Sequence, residues 1–238
     1  MHARTTARTT VVLLAAASAA ALAAGTAAAA DLSARPVYKA PPVIEAPSPW
    51  QIRLRALGVI TNDGGTVDQV PGSDLKTSDT VVPELDITYY FTPNIAAELI
   101  LGVTRHHVTG TGTIDSLDVG KAWLLPPTLT LQYHFTQFGA FKPYIGLGVN
   151  YTVFFNQDAG NTWLNGVAVT ESKLKNTFGV AGQIGFDYMI DRHWGVNFDV
   201  KKLYLRPEWE GTLNYVVPVT GKVELDPWLI AGGVTYRF

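Results

Sequence analysis

From Trp50 onward the chain alternates segments of period-two hydrophobicity with breaks, and long breaks alternate with short ones without exception. The segments are Trp50–Ile60, Val81–Phe91, Ile95–Arg105, Pro126–Thr136, Pro143–Phe155, Asn176–Ile190, Trp194–Arg206 and Val223–Phe238. Three breaks are short, at Thr92–Asn94, Gln137–Lys142 and Asp191–His193. The others are read as long loops, at Thr61–Thr80, His106–Leu125, Asn156–Glu171 and Pro207–Lys222. A soluble meander has no reason to sort its connections by length. A barrel crossing an outer membrane does, because its turns face the periplasm and its long loops the exterior. An even number of strands also returns both chain ends to the side from which the protein is inserted.

The last segment makes the same demand independently. Phe238, Tyr236, Val234, Ile230 and Trp228 share one parity, opposite Arg237, Thr235, Gly233, Ala231 and Leu229. Large aromatics run to the final residue of an apolar face, as lipid contact with an aromatic girdle requires. Read from this strand alone, the last strand of a soluble β-sandwich is the alternative. Phe238 and Tyr236 also resemble a C-terminal signal read by the barrel assembly machinery.

Hydrophobic residues make up 47% of the chain, yet beyond the N-terminus no apolar run approaches the roughly 18 residues of a membrane helix. Residues 1–30 read as a secretory signal: Arg4 and Arg8 precede an alanine-rich stretch, with cleavage expected near Ala30. Residues 31–49 hold five prolines and read as an extended periplasmic spacer. The expected product is an all-β, eight-stranded antiparallel up-and-down transmembrane barrel over residues 50–238, in the outer membrane of a Gram-negative bacterium. Its surroundings are outer-membrane lipid. A net charge of −2 gives no sign of nucleic-acid binding, and the absence of cysteine rules out thiol chemistry.

Parity sorts each strand into two faces. Ile145, Leu147, Val149, Tyr151, Val153 and Phe155 oppose Gly146, Gly148, Asn150 and Thr152; comparable splits occur in the fourth, sixth and seventh segments. The aromatic face belongs outside and the small or polar face inside a narrow lumen. The inward parity places Arg53, Arg55, Glu98, Asp187, Asp199 and Arg237 at the periplasmic end, where they are expected to pair as a charged plug. Toward the exterior the inward residues are Leu57, Val59, Ile100, Phe154, Leu203, Leu205 and Leu229. They read either as an apolar cup open to the exterior or as ordinary interior packing.

No catalytic or metal centre emerges, and no cofactor is implied. His106 and His107 are adjacent on a strand and so point to opposite faces. A lipid-modifying enzyme built on His107 and Ser116 is the weak catalytic alternative, and a structural or surface-recognition barrel is the other.

Several short motifs in order carry a family resemblance. They are Pro126-Pro127-Thr128-Leu129 with Gln132-Tyr133-His134-Phe135, Pro143-Tyr144-Ile145-Gly146 with Gly148 to Thr152 and Phe154-Phe155, Gly179 to Tyr188, Trp194 with Asn197, and Asp226-Pro227 with Tyr236-Arg237-Phe238. From Trp50 on, the chain resembles the OmpW family of small outer-membrane proteins. The resemblance implies a narrow hydrophobic channel for small apolar solutes, closed toward the periplasm, with lateral exit into the bilayer. It also implies a constriction between an aliphatic residue, here Ile100, and an aromatic one whose position Lys201 occupies. That cation suggests amphipathic or anionic ligands.

Overall fold

Strand β1 (Trp50–Ile60) pairs with the last strand of the chain, and this contact closes the wall. The computed structural model describes residues 48–62 and 64–238. The expected signal segment lies outside the described residues, as does the proline-rich segment apart from Ser48 and Pro49.

After β1, the barrel strands are β4 (Thr80–Tyr90), β5 (Ile95–Gly102), β8 (Thr128–His134), β9 (Phe141–Ala159), β11 (Thr177–Met189), β12 (Trp194–Tyr204) and β15 (Trp228–Arg237). Each pairs antiparallel with the next, and β15 returns to β1 with Ile52 opposite Tyr236 and Val59 opposite Leu229. The result is a closed eight-stranded antiparallel barrel. Closure leaves no free edge strand, which a hydrocarbon environment demands.

The long connections are not the irregular loops expected from sequence. They carry β2 (Gly65–Val67), β3 (Ser73–Thr77), β6 (Thr104–Gly112), β7 (Asp118–Leu125), β10 (Val169–Leu174), β13 (Glu208–Leu213) and β14 (Val217–Val223). Strand β3 pairs with β6, β6 with β7 and β7 with the upper part of β9, while β10, β13, β14 and β2 form a separate four-stranded sheet. Two segment ends move accordingly. The third segment breaks at Val103 rather than running to Arg105, and the eighth starts at Trp228, leaving Val223 to β14. The polar, glycine-rich composition concealed these strands: β6–β7 and β13–β14 are hairpins within one connection, but β2, β3 and β10 find their partners in other connections.

The wall obeys the expected parity. Ile145, Leu147, Val149, Leu131, Phe178, Ile184, Trp194 and Phe198 are exposed on the outer face, while Thr130, Gln132, Thr152, Asp187 and Asp199 are buried inside. Aromatic contacts mark the two membrane boundaries. Trp50–Tyr89, Trp194–Tyr236 and Tyr236–Phe238 ring the lower end, with centroids 4.8–5.0 Å apart. Tyr151 meets Phe178 at 4.6 Å near the upper end. On β9 the band from Phe141 to Tyr151 spans about 25 Å along the membrane normal, the height of a lipid-facing belt.

Candidate functional site

Every barrel strand contributes to the lumen, and the lumen changes character along its axis. On β1 the inward residues run Gln51, Arg53, Arg55, Leu57 and Val59, from polar to charged to apolar, all buried. On β12 the run is Asn197, Asp199, Lys201 and Leu203.

The lower half is filled by a paired ionic network. Arg53 grips Asp187 in bidentate fashion, Nε to Oδ1 at 3.0 Å and Nη2 to Oδ2 at 2.7 Å. Its Nη1 donates to Thr88 at 2.7 Å and contacts Glu98. Arg55 Nη2 lies 2.8 Å from Glu84 and 2.7 Å from Asp86, and its Nη1 donates to Asn197 at 2.8 Å. Gln183 donates to Glu98 at 3.0 Å and to Asp199 at 2.8 Å, and the Tyr144 hydroxyl donates to Asp199 at 3.0 Å. Tyr144 finds room because its cross-strand neighbour is Gly185, where a Cβ would fall 2.6 Å from the Tyr144 hydroxyl. Charges removed from water are tolerated only when paired; Arg53, Glu98, Asp187 and Asp199 are hydrogen-bonded as well, whereas Asp86 is held by its ion pair with Arg55 alone.

Five of the six expected plug residues meet here: Arg53, Arg55, Glu98, Asp187 and Asp199. Arg237 does not join their ion pairs. It sits at the lower rim, its guanidinium 4.0 Å from the centre of the Tyr90 ring and its Nε 3.4 Å from the Ser48 carbonyl. Its position at the strand end puts it below the acidic groups. Lys201 stands at the boundary between the two halves. It was expected to line the constriction, and it does border the cavity above, but its Nζ is held 2.7 Å from Asp199 and 3.3 Å from Glu84. Its charge is therefore neutralised within the wall rather than offered to an anion.

Glu84 and Asp86 were missed by the sequence reading. Their signal is the alternation of Glu84, Asp86, Thr88 and Tyr90 against Leu85, Ile87 and Tyr89 in the second segment, which assigns them to the lumen. With them the network has five carboxylates and three cations. Among the described residues no cluster of acids and histidines is arranged to hold a metal ion.

Above the network lies a small apolar cavity of about 50 Å³. Leu57, Val59, Ile100, Leu203, Leu205 and Leu229 line it, with Glu84 and Lys201 at its floor and His106, Leu124 and Leu225 at its upper end. Phe154 is absent from this lining. It packs higher up, in a buried cluster with Leu75, Val108, Val119, Val169, Trp209 and Val223. Those side chains come from the extracellular strands and occupy the interior above the cavity. The expected cup is thus roofed by apolar packing instead of standing wide open, since the long connections fold inward as strands.

One side of the cavity borders a seam in the wall. Strands β5 and β8 pair up to Ile100 opposite Thr128, and pairing resumes with Thr104 opposite Leu124 between β6 and β7. No cross-strand pair joins Leu101–Val103 to Leu125–Pro127 in between. Pro126 and Pro127 lack the N–H that a ladder needs. Gly102, Pro126 and Thr128 all border the cavity at this point.

The comparisons with known proteins agree with this architecture. The family model described as OmpW family matches residues 50–238, the whole barrel. The chain belongs to the OmpW family. Members are non-enzymatic barrels of the bacterial outer membrane, which places this chain there and removes the His107–Ser116 alternative. In this structure His107 Nε2 contacts Asp118 at 2.7 Å and the Ser116 hydroxyl contacts Asp115 at 3.3 Å, so the two are not paired. The outer-membrane protein y4mB of Sinorhizobium fredii is 55% identical over 88% of this chain and 89% of its own length. The dibenzothiophene metabolism operon protein PahQ of Pseudomonas aeruginosa is 30% identical over 84% of this chain and 93% of its own. The crystal structure of the outer membrane protein OprG from Pseudomonas aeruginosa is similar with a TM-score of 0.71 and 28% identity, covering 81% of this chain and 97% of that one.

Proposed function

We propose that this OmpW-family barrel is a passive conduit for small neutral apolar or weakly amphipathic molecules, which leave it sideways into the bilayer. The observation that carries the reading is the seam at Leu101–Val103 and Leu125–Pro127 beside an apolar cavity whose floor is a charge network. Downward passage would require an apolar solute to part several buried ion pairs, each costly to break. Sideways passage requires only that two segments with no ladder between them part, each still paired to its other neighbour. The cavity is small, so a solute enters by displacing side chains, as a gated path requires. That PahQ bears the name of an operon for dibenzothiophene, an apolar aromatic, supports this solute class.

The floor refines the class. Lys201 sits between Glu84 and Asp199, so an anion placed there meets more negative than positive charge. A single neutral oxygen can still accept from the ammonium. The expected order of transport is therefore alcohols and apolar hydrocarbons ahead of the matching carboxylates. Uptake of such a matched series into proteoliposomes tests this. Ile100→Asp and the double change Pro126→Ala with Pro127→Ala should each slow uptake, the first by wetting the cavity and the second by restoring ladder donors at the seam. Wild-type rates from both would overturn the conduit reading. They would favour a surface-recognition barrel, for which the ordered four-stranded outer sheet provides a platform.

A further inference from the structure

Just above the lipid belt, the outer face of the wall carries two cations that form no ion pair among the described residues, although Asp158 lies opposite one of them, Lys121, on β9. In the β6–β7 hairpin Arg105 lies opposite Trp123 and His107 opposite Lys121. Arg105 and Lys121 are exposed and diagonal to one another, within the roughly 7–8 Å over which cross-strand side chains share a contact. With Ser78, His106 and His107 they line a polar hollow of about 220 Å³. The Ser78 hydroxyl oxygen accepts from the His107 N–H at 3.0 Å, which leaves its own proton to donate.

The contrast with other surface cations is informative. Lys175 pairs with Glu208 and Glu210, and Arg206 with Asp226. His107 is matched by Asp118 at 2.7 Å. The Arg105 guanidinium has only the Trp123 ring, at 5.6 Å, and Lys121 forms no ion pair among the described residues.

Height on the barrel supplies the occupant. Trp123 stacks on Phe155, four residues beyond Tyr151 on β9, so the hollow stands about 10 Å above the upper boundary of the apolar belt. This is the headgroup layer. Val103, two residues below Arg105 on the same outward parity, is exposed and continues the apolar outer face toward the belt.

We propose that Arg105, Lys121 and Ser78 form a site for a phosphate group of the outer leaflet's phosphorylated glycolipid, with its acyl chains lying along the wall beneath. Guanidinium and ammonium donors to a phosphate make strong charge-assisted hydrogen bonds, and the apolar wall below selects a lipid over the free ion. The bound lipid stands directly over the Leu101–Val103 seam.

The test measures lipid retention by the folded protein in detergent, using native mass spectrometry with added diphosphoryl lipid A, its dephosphorylated analogue, or inorganic phosphate as competitor. Folding is checked by the heat-dependent shift in gel mobility. Wild-type protein should retain the phosphorylated lipid, and Arg105→Gln with Lys121→Gln should lower its retention about tenfold or more. The dephosphorylated lipid should bind wild type no better than the phosphorylated lipid binds the double variant. Inorganic phosphate in excess should leave the lipid in place. Equal retention of both lipids by wild type overturns the site even where the variant fails to fold. Equal retention by variant and wild type does so too, and displacement by inorganic phosphate reassigns the hollow to the free ion and overturns the lipid assignment.

Discussion

Replacing Arg53 by Met should cost more stability than any other single change in the lower lumen. Arg53 is fully buried and serves Asp187 through two hydrogen bonds, Thr88 through a third, and Glu98 through an ion pair. A methionine of similar reach removes all four and leaves two buried carboxylates without their arginine. Breaking one buried ion pair costs about 3–5 kcal/mol, because the remaining charge keeps its desolvation penalty. That is a change of roughly two to three and a half orders of magnitude in the folding equilibrium. The penalty belongs to the orphaned acids and not to the lost arginine. Adding Glu98→Gln and Asp187→Asn to Arg53→Met should therefore recover most of the loss. The measurement is denaturant unfolding in a short-chain lipid bilayer, followed by tryptophan fluorescence and compared at constant denaturant slope. A single-variant loss below about 1 kcal/mol, or a triple variant no more stable than the single one, would refute the argument from stranded charge. Lys175→Gln, which removes exposed pairs with Glu208 and Glu210, serves as the control and should leave the midpoint where it was.

Gly102→Phe should block solute uptake with little change in unfolding midpoint. A Cβ there meets only the Pro83 carbonyl, at 3.7 Å, so the side chain leaves the wall without a backbone clash and the ring fills the cavity. Uptake assays and unfolding curves on the same preparation separate blockage from misfolding. The extracellular strands should loosen as pH falls through the histidine range. Burial holds His106 below its ordinary pKa, so the unfolded state takes up its proton first, and the stability present above the unfolded value is lost on acidification. Protection against hydrogen exchange across the β3–β6 pairing, corrected for the intrinsic exchange rate at each pH, should fall at acid pH in wild type, and His106→Gln should flatten that dependence. Deleting Phe238 should lower the amount of barrel in the membrane before it alters transport. Its backbone N–H donates to the Trp50 carbonyl at 3.2 Å and its carbonyl accepts from Ser48 at 3.0 Å, so it extends the β15–β1 closure. Normal membrane levels of the deletion would show that neither closure nor recognition by the assembly machinery depends on this residue.

The division of the lumen explains how one wall can hold two environments. Because side chains alternate in and out, each strand writes a lumen profile in every second residue, independent of what it shows to lipid. Strands β1 and β12 both run from charged to apolar in the same direction, so their profiles align on the axis and place the paired ions beneath the cavity. The position occupied by Lys201 falls at the boundary. A residue one step higher would stand among leucines. At its actual height the ammonium reaches Glu84 and Asp199, and the boundary between the two halves becomes an ion pair.

The chain's own pattern determined the barrel, its strand number, which side chains face lipid and which face the lumen. Those properties follow from a local rule, the two-residue repeat on a wall with two unlike sides, together with the sorted lengths of the connections. It also placed Arg53, Asp187 and Asp199 in one region, since height along a strand can be counted from its short turn. What meets what was decided by tertiary structure. Arg53 and Asp187 are 134 residues apart, and they touch only because β1 closes on β15 and β12 carries β11 around beside them. The same closure tied Lys201, at the floor of the cavity, into the network, and left Arg237 below it. The roof over the cavity was equally illegible, because β2 finds its partner in β14 and β3 in β6, across connections far apart in the chain. Parity is inherited from the backbone of a single strand; pairing between distant strands depends on the shear of the closed wall, which no single segment carries.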